Sequence, residues 1–220
     1  MSFVYFRSKI VTKAFGYFSL IALGIGVERT TSPILSGREI NILSLFNINN
    51  FFMDNFKFNY IEHYKKDGKL FNYFEEKTGA TLHDERRVHE FLLSLFPKNI
   101  NNVLDVGSGS AWIANHLCRK NIQVTSFDIS LDNLKNSKLL IPIINHSQVQ
   151  GDSFNLPFKS NSFDCIVASE VIEHVQDPQM FINELFRCVA NNGYLILSTP
   201  YKEKLKFNLC VHCNNPTPVN

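Results

Sequence analysis

Two glycines and an aspartate near the middle of the chain have the spacing of a nucleotide-binding turn. Gly107 and Gly109 follow the apolar run VLDV and precede a segment with helical character, which is the context that makes a glycine pattern meaningful. Glycine permits a positive φ and lets a ligand touch the backbone. Asp128 lies 21 positions after Gly107, at the end of the next strand-like run, where an acid can bind ribose hydroxyls. This arrangement favours a ligand that contains adenosine.

Asp105 and Trp112 bear on which adenosine ligand the turn would hold. Trp112 occupies the position where a dinucleotide fingerprint has its third glycine, so close helix-to-strand packing of that kind is disfavoured. Asp105 stands two residues before Gly107, where it would repel a pyrophosphate but attract a cation. S-adenosylmethionine, with a sulfonium and an ammonium group, fits better than a nicotinamide dinucleotide. The alternative for Asp105 is an acceptor that only orients the loop.

Strand and helix patterns alternate around these residues. Strand-like runs cover residues 103–106, 122–128, 147–150, 163–169 and 194–198. Helical patterns cover residues 84–96, 111–119 and 131–139, and a further helix starts at Pro178, with Asp177 as its N-cap, and ends at 191–193. This alternation predicts βαβ units in a parallel sheet covered on both faces. Ligands of such sheets bind at the carboxyl ends of the strands.

Four sequence blocks, in order, resemble the class I S-adenosylmethionine-dependent methyltransferases. They are VLDVGSGSAW, SFDIS, GDSFNLPFKSNSFDCIVASEVIEHVQDP and GYLILSTP, and the resemblance covers residues 84–200. It is closest to the branch with ubiquinone and menaquinone C-methyltransferases and many small-molecule enzymes. The resemblance implies an α/β, Rossmann-like, doubly wound and mainly parallel sheet. It also implies methyl transfer to a small-molecule acceptor.

The resemblance implies which residues form the loop under the methionine part and the ribose. They are Asp105, Gly107, Ser108 and Gly109. Ala111 stands where the family has the third glycine of this loop. We expect the start of a helix to tolerate that alanine.

The resemblance also implies contacts with the adenosine part. Asp128 would bind the ribose hydroxyls, and Ile129 would lie beside the adenine. Asp152 would accept a hydrogen bond from the adenine amino group. Ser153 or Phe154 would border the ring.

Residues after the fourth strand-like run are the candidates for the acceptor side of the site. By resemblance, Ser169 and Glu170 would face the cofactor and the substrate mouth. His174 is the candidate general base because histidine titrates near neutral pH; the alternative is a residue that shapes the pocket. Glu173 is more typical of a first-turn helix acid. Methyl transfer from a sulfonium depends on near-attack geometry, so no catalytic triad is expected.

The two ends of the chain are less regular than its middle. We expect residues 1–54 to form an irregular N-terminal extension and residues 55–220 to form the methyltransferase domain. Only 22 residues follow Ser198, too few for the helix and antiparallel hairpin that end the resembled fold. The sequence therefore predicts a shortened domain that lacks this hairpin and exposes a sheet edge, which the extension could cover. The alternative function is a catalytically inactive, shortened methyltransferase-like module that binds the cofactor or a partner.

The apolar run at residues 14–27 and the overall composition bear on location and partners. The run is shorter than the ~20 residues of a spanning helix, so we expect a buried or loosely packed helix. A membrane-associating segment and a cleaved signal are the less favoured alternatives. A net charge of +2 argues against a nucleic-acid partner. The odd count of five cysteines is typical of free thiols in the cytoplasm. Cys210, His212 and Cys213 make only half of a zinc-ligand pattern, so no metal is expected.

Overall fold

The computed structural model describes residues 3–15, 18–30, 59–201, 206–209, 214 and 216–219. Its strands are β1 (Phe3–Phe15), β2 (Phe18–Thr30), β3 (Asn102–Val106), β4 (Gln123–Asp128), β5 (His146–Gln150), β6 (Phe163–Ser169), β7 (Val189–Tyr201), β8 (Lys206–Leu209) and β9 (Pro216–Val219). Its α-helices are α1 (Tyr60–Leu70), α2 (Gly79–Leu95), α3 (Trp112–Leu117), α4 (Leu131–Leu140) and α5 (Pro178–Cys188). Short 3-10 turns occupy Cys118–Lys120 and Ile172–His174.

A seven-stranded sheet forms the frame of the protein, in the order β1-β2-β7-β6-β3-β4-β5. The five strands from β7 to β5 pair in parallel, which confirms the Rossmann-like α/β fold. The direction of winding reverses between β3 and β6, so a crevice is expected where their carboxyl ends separate. Strands β8 and β9 form a separate antiparallel pair.

Apolar side chains cover both faces of the parallel strands, as the periodicity predicts. On one face, Phe181 and Leu185 of α5 are fully buried against the sheet. On the other, Leu92 of α2 and Ile113 of α3 belong to a second buried cluster. Successive strand residues point to opposite faces, and β3 accordingly contributes to both clusters. The carboxyl end of β3 is thereby fixed between two packed layers.

The helix expected to follow Asp177 is confirmed at its start and corrected at its end. The Asp177 carboxylate accepts from the N–H of Met180 at 2.9 Å, and Pro178 opens α5. The helix ends at Cys188, earlier than the expected stop at 191–193, because β7 already begins at Val189. The turn residues at 191–193 instead interrupt the pairing of β7 with β6, with Asn192 at a φ of 61°.

The expectation of a helix over residues 14–27 is wrong. The described part of this run lies in β1 and β2, which pair antiparallel with each other. Strand β2 also pairs antiparallel with β7, from Ser19↔Tyr201 to Gly26↔Tyr194. A continuous apolar run does not distinguish a buried strand from a helix, because the deciding contacts are long-range pairings. The domain boundary at residue 54 stays a prediction.

The edge of β7 that the sequence predicts to be exposed is paired. Strand β2 lies where the resemblance places the C-terminal hairpin, so the N-terminal extension covers this edge. Among the described residues, no helix is long and apolar enough to span a membrane.

Candidate functional site

The glycine turn closes over the carboxyl ends of β3 and β4. Gly107 and Gly109 have φ values of 69° and 48°, in the left-handed region that favours glycine. The backbone N–H groups of Gly107 and Ser108 both donate to the carbonyl oxygen of Phe127, at 2.8 and 3.2 Å. A Cβ on Gly107 would lie 2.5 Å from Val171 Cγ2, so a larger residue there would force Val171 to shift.

Asp128 ties this turn to the start of α4. Its Oδ2 accepts from the N–H of Gly109 at 2.9 Å, and its Oδ1 accepts from the N–H of Ser130 at 2.8 Å. Burial raises the pKa of the Asp128 carboxyl, and the bonds from Ser130 and Gly109 oppose that rise. The last residue of β4 therefore fixes both loops that border the crevice.

Asp105 and Ser108 carry buried polar atoms with unmet hydrogen-bonding capacity. Within the described residues, Asp105 Oδ2 and Ser108 Oγ are the buried side-chain oxygens or nitrogens without a hydrogen-bond partner. Burial, and secondarily the charge of Asp128, raise the pKa of Asp105 to about 8. An unpartnered buried polar atom is costly, and it is satisfied when a ligand donates to it. The turn thus offers an acidic position suited to a cationic group.

The backbone conformation of Ala111 and the contact of Trp112 were not expected from the sequence. Ala111 has a φ of 55° and a ψ of 34°, so the third glycine of the family corresponds to a left-handed residue. The alanine is accommodated at a backbone cost of ~1–2 kcal/mol and is not the neutral change that we expected. Trp112 stacks on His89 of α2, with ring centroids 3.8 Å apart. That contact explains a tryptophan at this position.

Asp152 lies beyond the end of β5, and its carboxylate accepts hydrogen bonds from two groups of the protein. Its Oδ1 accepts from the N–H of Phe154 at 3.0 Å, and its Oδ2 accepts from the hydroxyl of Tyr60 at 2.6 Å. Nearby, the side-chain amide of Gln150 donates to the carbonyl oxygen of Ile129 at 3.0 Å. The carboxylate assigned by resemblance to the adenine amino group is therefore also a contact of helix α1.

The carboxylates after β6 are attached to the end of β7. Ser169 Oγ and Ser198 Oγ are 3.0 Å apart, and the Ser198 hydroxyl donates to Glu170 Oε1 at 2.8 Å. Glu170 has a φ of 56°, an uncommon conformation for a residue with a side chain. Glu173 Oε2 accepts from the hydroxyl of Thr199 at 3.1 Å. These bonds join the carboxyl ends of β6 and β7 beside the crevice between β3 and β6.

His174 ends the 3-10 turn that follows β6 and packs against α1. Its ring meets the ring of Tyr64 edge-on, with centroids 5.7 Å apart, and the Tyr64 hydroxyl donates to its carbonyl oxygen at 3.4 Å. Burial lowers the pKa of His174; Asp67 opposes and His63 reinforces this lowering. The imidazole is therefore neutral at physiological pH and can accept a proton.

Helix α1 supplies site residues that the sequence reasoning did not find. Tyr60, Tyr64 and Asp67 share one helical face, and Asp67 accepts from the hydroxyl of Tyr73 at 2.5 Å. The Tyr73 ring lies 3.6 Å from the position that a Cβ on Gly109 would occupy. In the sequence, the i, i+4 and i+7 spacing of these three residues indicates only that they share one face of a helix. It matches no motif that would mark them as site residues.

No candidate metal centre is formed within the part of the chain that the structure describes. Cys210, His212 and Cys213 lie outside the described residues.

Comparison with known proteins identifies the family of the central part of the chain. Residues 104–197 match the family described as "Methyltransferase domain". The match begins within β3, includes the glycine turn and ends at Leu197 of β7. The ubiquinone biosynthesis O-methyltransferase of Schizosaccharomyces pombe is 33% identical over 106 residues, which cover 44% of this chain and 37% of that protein. The matched region is a class I S-adenosylmethionine-dependent methyltransferase domain. S-adenosylmethionine is the cofactor of this domain, as the acidic turn suggests.

Other relatives of this methyltransferase domain show how far the similarity reaches. The human protein named arginine-hydroxylase NDUFAF5 is 31% identical over 128 residues, which cover 57% of this chain and 34% of that protein. The solved structure of the PH0226 protein from Pyrococcus horikoshii has a TM-score of 0.51 at 22% identity, covering 60% of this chain and 65% of that one. This last likeness shows the fold. The chain spans only about a third of the two curated relatives named here.

Proposed function

We propose that the protein transfers a methyl group from S-adenosylmethionine to a small-molecule acceptor. One observation carries the proposal: a buried carboxyl, Asp105, has an unpartnered oxygen beside a turn whose glycines have positive φ values. A dinucleotide would bring a pyrophosphate to this turn, where the carboxyl groups of Asp105 and Asp128 offer no positive charge to bind it. The methionine end of S-adenosylmethionine brings positive charge instead.

The residues of the turn carry polar groups that can bind the cofactor. In the proposal, Asp105 and Ser108 accept or donate at the methionine end, because their side-chain oxygens are the unpartnered ones. Asp128 keeps its bonds to Gly109 and Ser130 and uses its remaining lone pairs for the ribose hydroxyls. Gly107, Gly109 and Ile129 provide backbone contact.

The adenine end would be bounded by the residues after β5. Asp152 accepts from the exocyclic amino group, and Ser153 or Phe154 lies at the ring edge. Ser169 and Glu170 border the acceptor mouth, where their bonds to β7 hold them in place.

His174 is the proposed general base for acceptors that carry a proton on the nucleophilic atom. S-adenosylmethionine supplies an electrophilic methyl group on a sulfonium. The neutral imidazole takes the proton that the acceptor loses, so the nucleophile attacks with a full lone pair. Its lowered pKa keeps the imidazole unprotonated near pH 7. Asp67 provides a negative charge that stabilises the imidazolium after the transfer.

Proteins similar to this domain have names that describe different activities, so the test must detect methyl transfer itself. One relative is named an O-methyltransferase and another an arginine-hydroxylase. Purified protein is incubated with S-adenosylmethionine and a panel of phenol, amine and quinone-like acceptors. The proposal expects S-adenosylhomocysteine and a methylated product in equal amounts. Binding of the cofactor without turnover on any acceptor would instead favour the catalytically inactive module.

The partner and location belong to the same proposal. A small molecule is the expected acceptor, and a net charge of +2 offers little attraction to nucleic acid. Cys118, Cys165 and Cys188 are free and buried, which fits a reducing compartment. We therefore propose the cytoplasm, and fractionation of cells that express the full chain tests this.

A further inference from the structure

Helix α1 brings a hydroxyl group to the carboxylate that the proposed function assigns to adenine. The Tyr60 hydroxyl donates to Asp152 Oδ2 at 2.6 Å, although the two residues are 92 positions apart. The other oxygen, Oδ1, accepts from the N–H of Phe154 at 3.0 Å. Each oxygen of the carboxylate therefore has a donor, and rotation of the group is restricted from two directions.

The position of Tyr60 is itself fixed by its surroundings. Its ring meets the ring of Phe154 edge-on, with centroids 5.5 Å apart and planes at 84°, a favourable aromatic geometry. Asn59 caps the first turn of α1 by accepting from the N–H of Glu62 at 3.2 Å, which sets where the helix begins. Burial, and then the hydrogen bond to Asp152, raise the pKa of the Tyr60 hydroxyl. It remains a donor at neutral pH.

We propose that Tyr60 is a positioning residue for adenine recognition, which holds the Asp152 carboxylate so that its free lone pairs face the exocyclic amino group. This inference rests on the proposed function. A carboxylate offers about four lone-pair sites, of which Tyr60 and Phe154 use two. The remaining sites suit an amino group and disfavour a carbonyl oxygen at the same ring position. A carboxylate held in one orientation discriminates between these groups better than one that rotates freely.

The test compares two ligands that differ at this ring position. S-adenosylhomocysteine carries the amino group, and S-inosylhomocysteine carries a carbonyl oxygen. Calorimetry gives the Kd of both for the wild type, Tyr60→Phe and Tyr64→Phe. We expect the wild type to prefer the adenosyl ligand at least about tenfold, because a site built for an amino group rejects its replacement. The Tyr60→Phe change should weaken the adenosyl ligand about five- to tenfold and alter the inosyl ligand less than about twofold.

Tyr64→Phe is the matched control, because it removes a hydroxyl from the same helical face that donates to His174 and not to Asp152. Its ratio of the two Kd values should equal that of the wild type. An Asp152→Ala background supplies the second check: there the Tyr60→Phe penalty should disappear, since the hydroxyl acts through the carboxylate. Thermal melts establish that each variant is folded.

The outcomes separate this inference from the proposed function. If the wild type binds S-adenosylhomocysteine but Tyr60→Phe weakens both ligands equally, Tyr60 only supports the fold and the inference is overturned. Tighter adenosyl binding by Tyr60→Phe would show that the hydroxyl competes with adenine, which also overturns it. If the wild type binds neither ligand, the proposed function fails and this inference fails with it.

Discussion

Ionisation of Asp105 should make cofactor affinity depend strongly on pH. Burial raises the pKa of this carboxyl to about 8 in the ligand-free protein, so it is mostly protonated at neutral pH. A ligand that brings an ammonium group to the carboxyl favours the ionised form. Binding must therefore release a proton, and affinity must increase as the pH rises towards 8.

The size of this effect follows from the pKa. A carboxyl with a pKa of about 8 is ~1% ionised at pH 6 and ~9% ionised at pH 7. The amino group of S-adenosylhomocysteine, with a pKa of about 7.7–8.0, loses only a small part of its charge over this range. The Kd should therefore fall about eightfold from pH 6 to pH 7, with release of about 0.8 proton per ligand bound at pH 7.

Calorimetric titration with S-adenosylhomocysteine measures both quantities. The Kd is determined at pH 6 and 7, and the proton count at pH 7 comes from buffers that differ in ionisation enthalpy. Asp105→Asn is the control because it has the same shape and cannot ionise, so its Kd should change less than about twofold over this range. Asp128, whose pKa burial also raises, is present in both proteins and cancels. An equal pH dependence in wild type and Asp105→Asn would refute the reasoning.

Three further predictions concern stability and turnover. The pKa of Asp105 is higher in the folded protein than in the unfolded chain, so its contribution to the free energy of unfolding is lost as the pH rises. Between pH 5 and 7, the free energy of unfolding of the wild type, measured with urea, should fall by about 1.4 kcal/mol per pH unit relative to that of Asp105→Asn. Gly68→Ala should destabilise the folded protein by about 1–3 kcal/mol in the same assay, although alanine has the better helix propensity, because its Cβ would lie 2.2 Å from Ser130 Oγ. An unchanged or higher urea midpoint of unfolding would contradict this. His174→Ala should lower kcat by about 10²–10⁴ on a protonated acceptor, while the Kd of S-adenosylhomocysteine changes less than about twofold. The wild-type rate should be constant near pH 7 and should fall only when the pH drops below 6.5, since burial lowers the pKa of His174 and the protonated imidazole cannot act as a base.

The parallel part of the fold could be predicted from the sequence because its determinants are local. Strands β3 and β6 are short, mainly apolar runs, and β6 occupies the predicted residues 163–169. The Asp177-Pro178 pair marks the start of α5 because capping depends on neighbouring residues alone. Gly107 and Gly109 have the positive φ values that the motif requires.

The N-terminal strands and the α1 face could not be predicted because their determinants are long-range. Residues 14–27 contain no alternation that separates strand from helix, and the pairing of β2 with β7 joins segments far apart in the chain. Tyr60 becomes a site residue only through Asp152, which is 92 positions away. The left-handed conformation of Ala111 is hidden because alanine, unlike glycine, does not indicate it.

The central claim is that the glycine turn holds S-adenosylmethionine. The most direct measurement titrates the wild-type protein with S-adenosylhomocysteine and, separately, with oxidised and reduced nicotinamide dinucleotides by calorimetry at pH 7.5. The account predicts micromolar binding of one S-adenosylhomocysteine, at least about tenfold weaker binding in Asp105→Asn, and no detectable heat with either dinucleotide. Micromolar binding of a dinucleotide without binding of S-adenosylhomocysteine would contradict it.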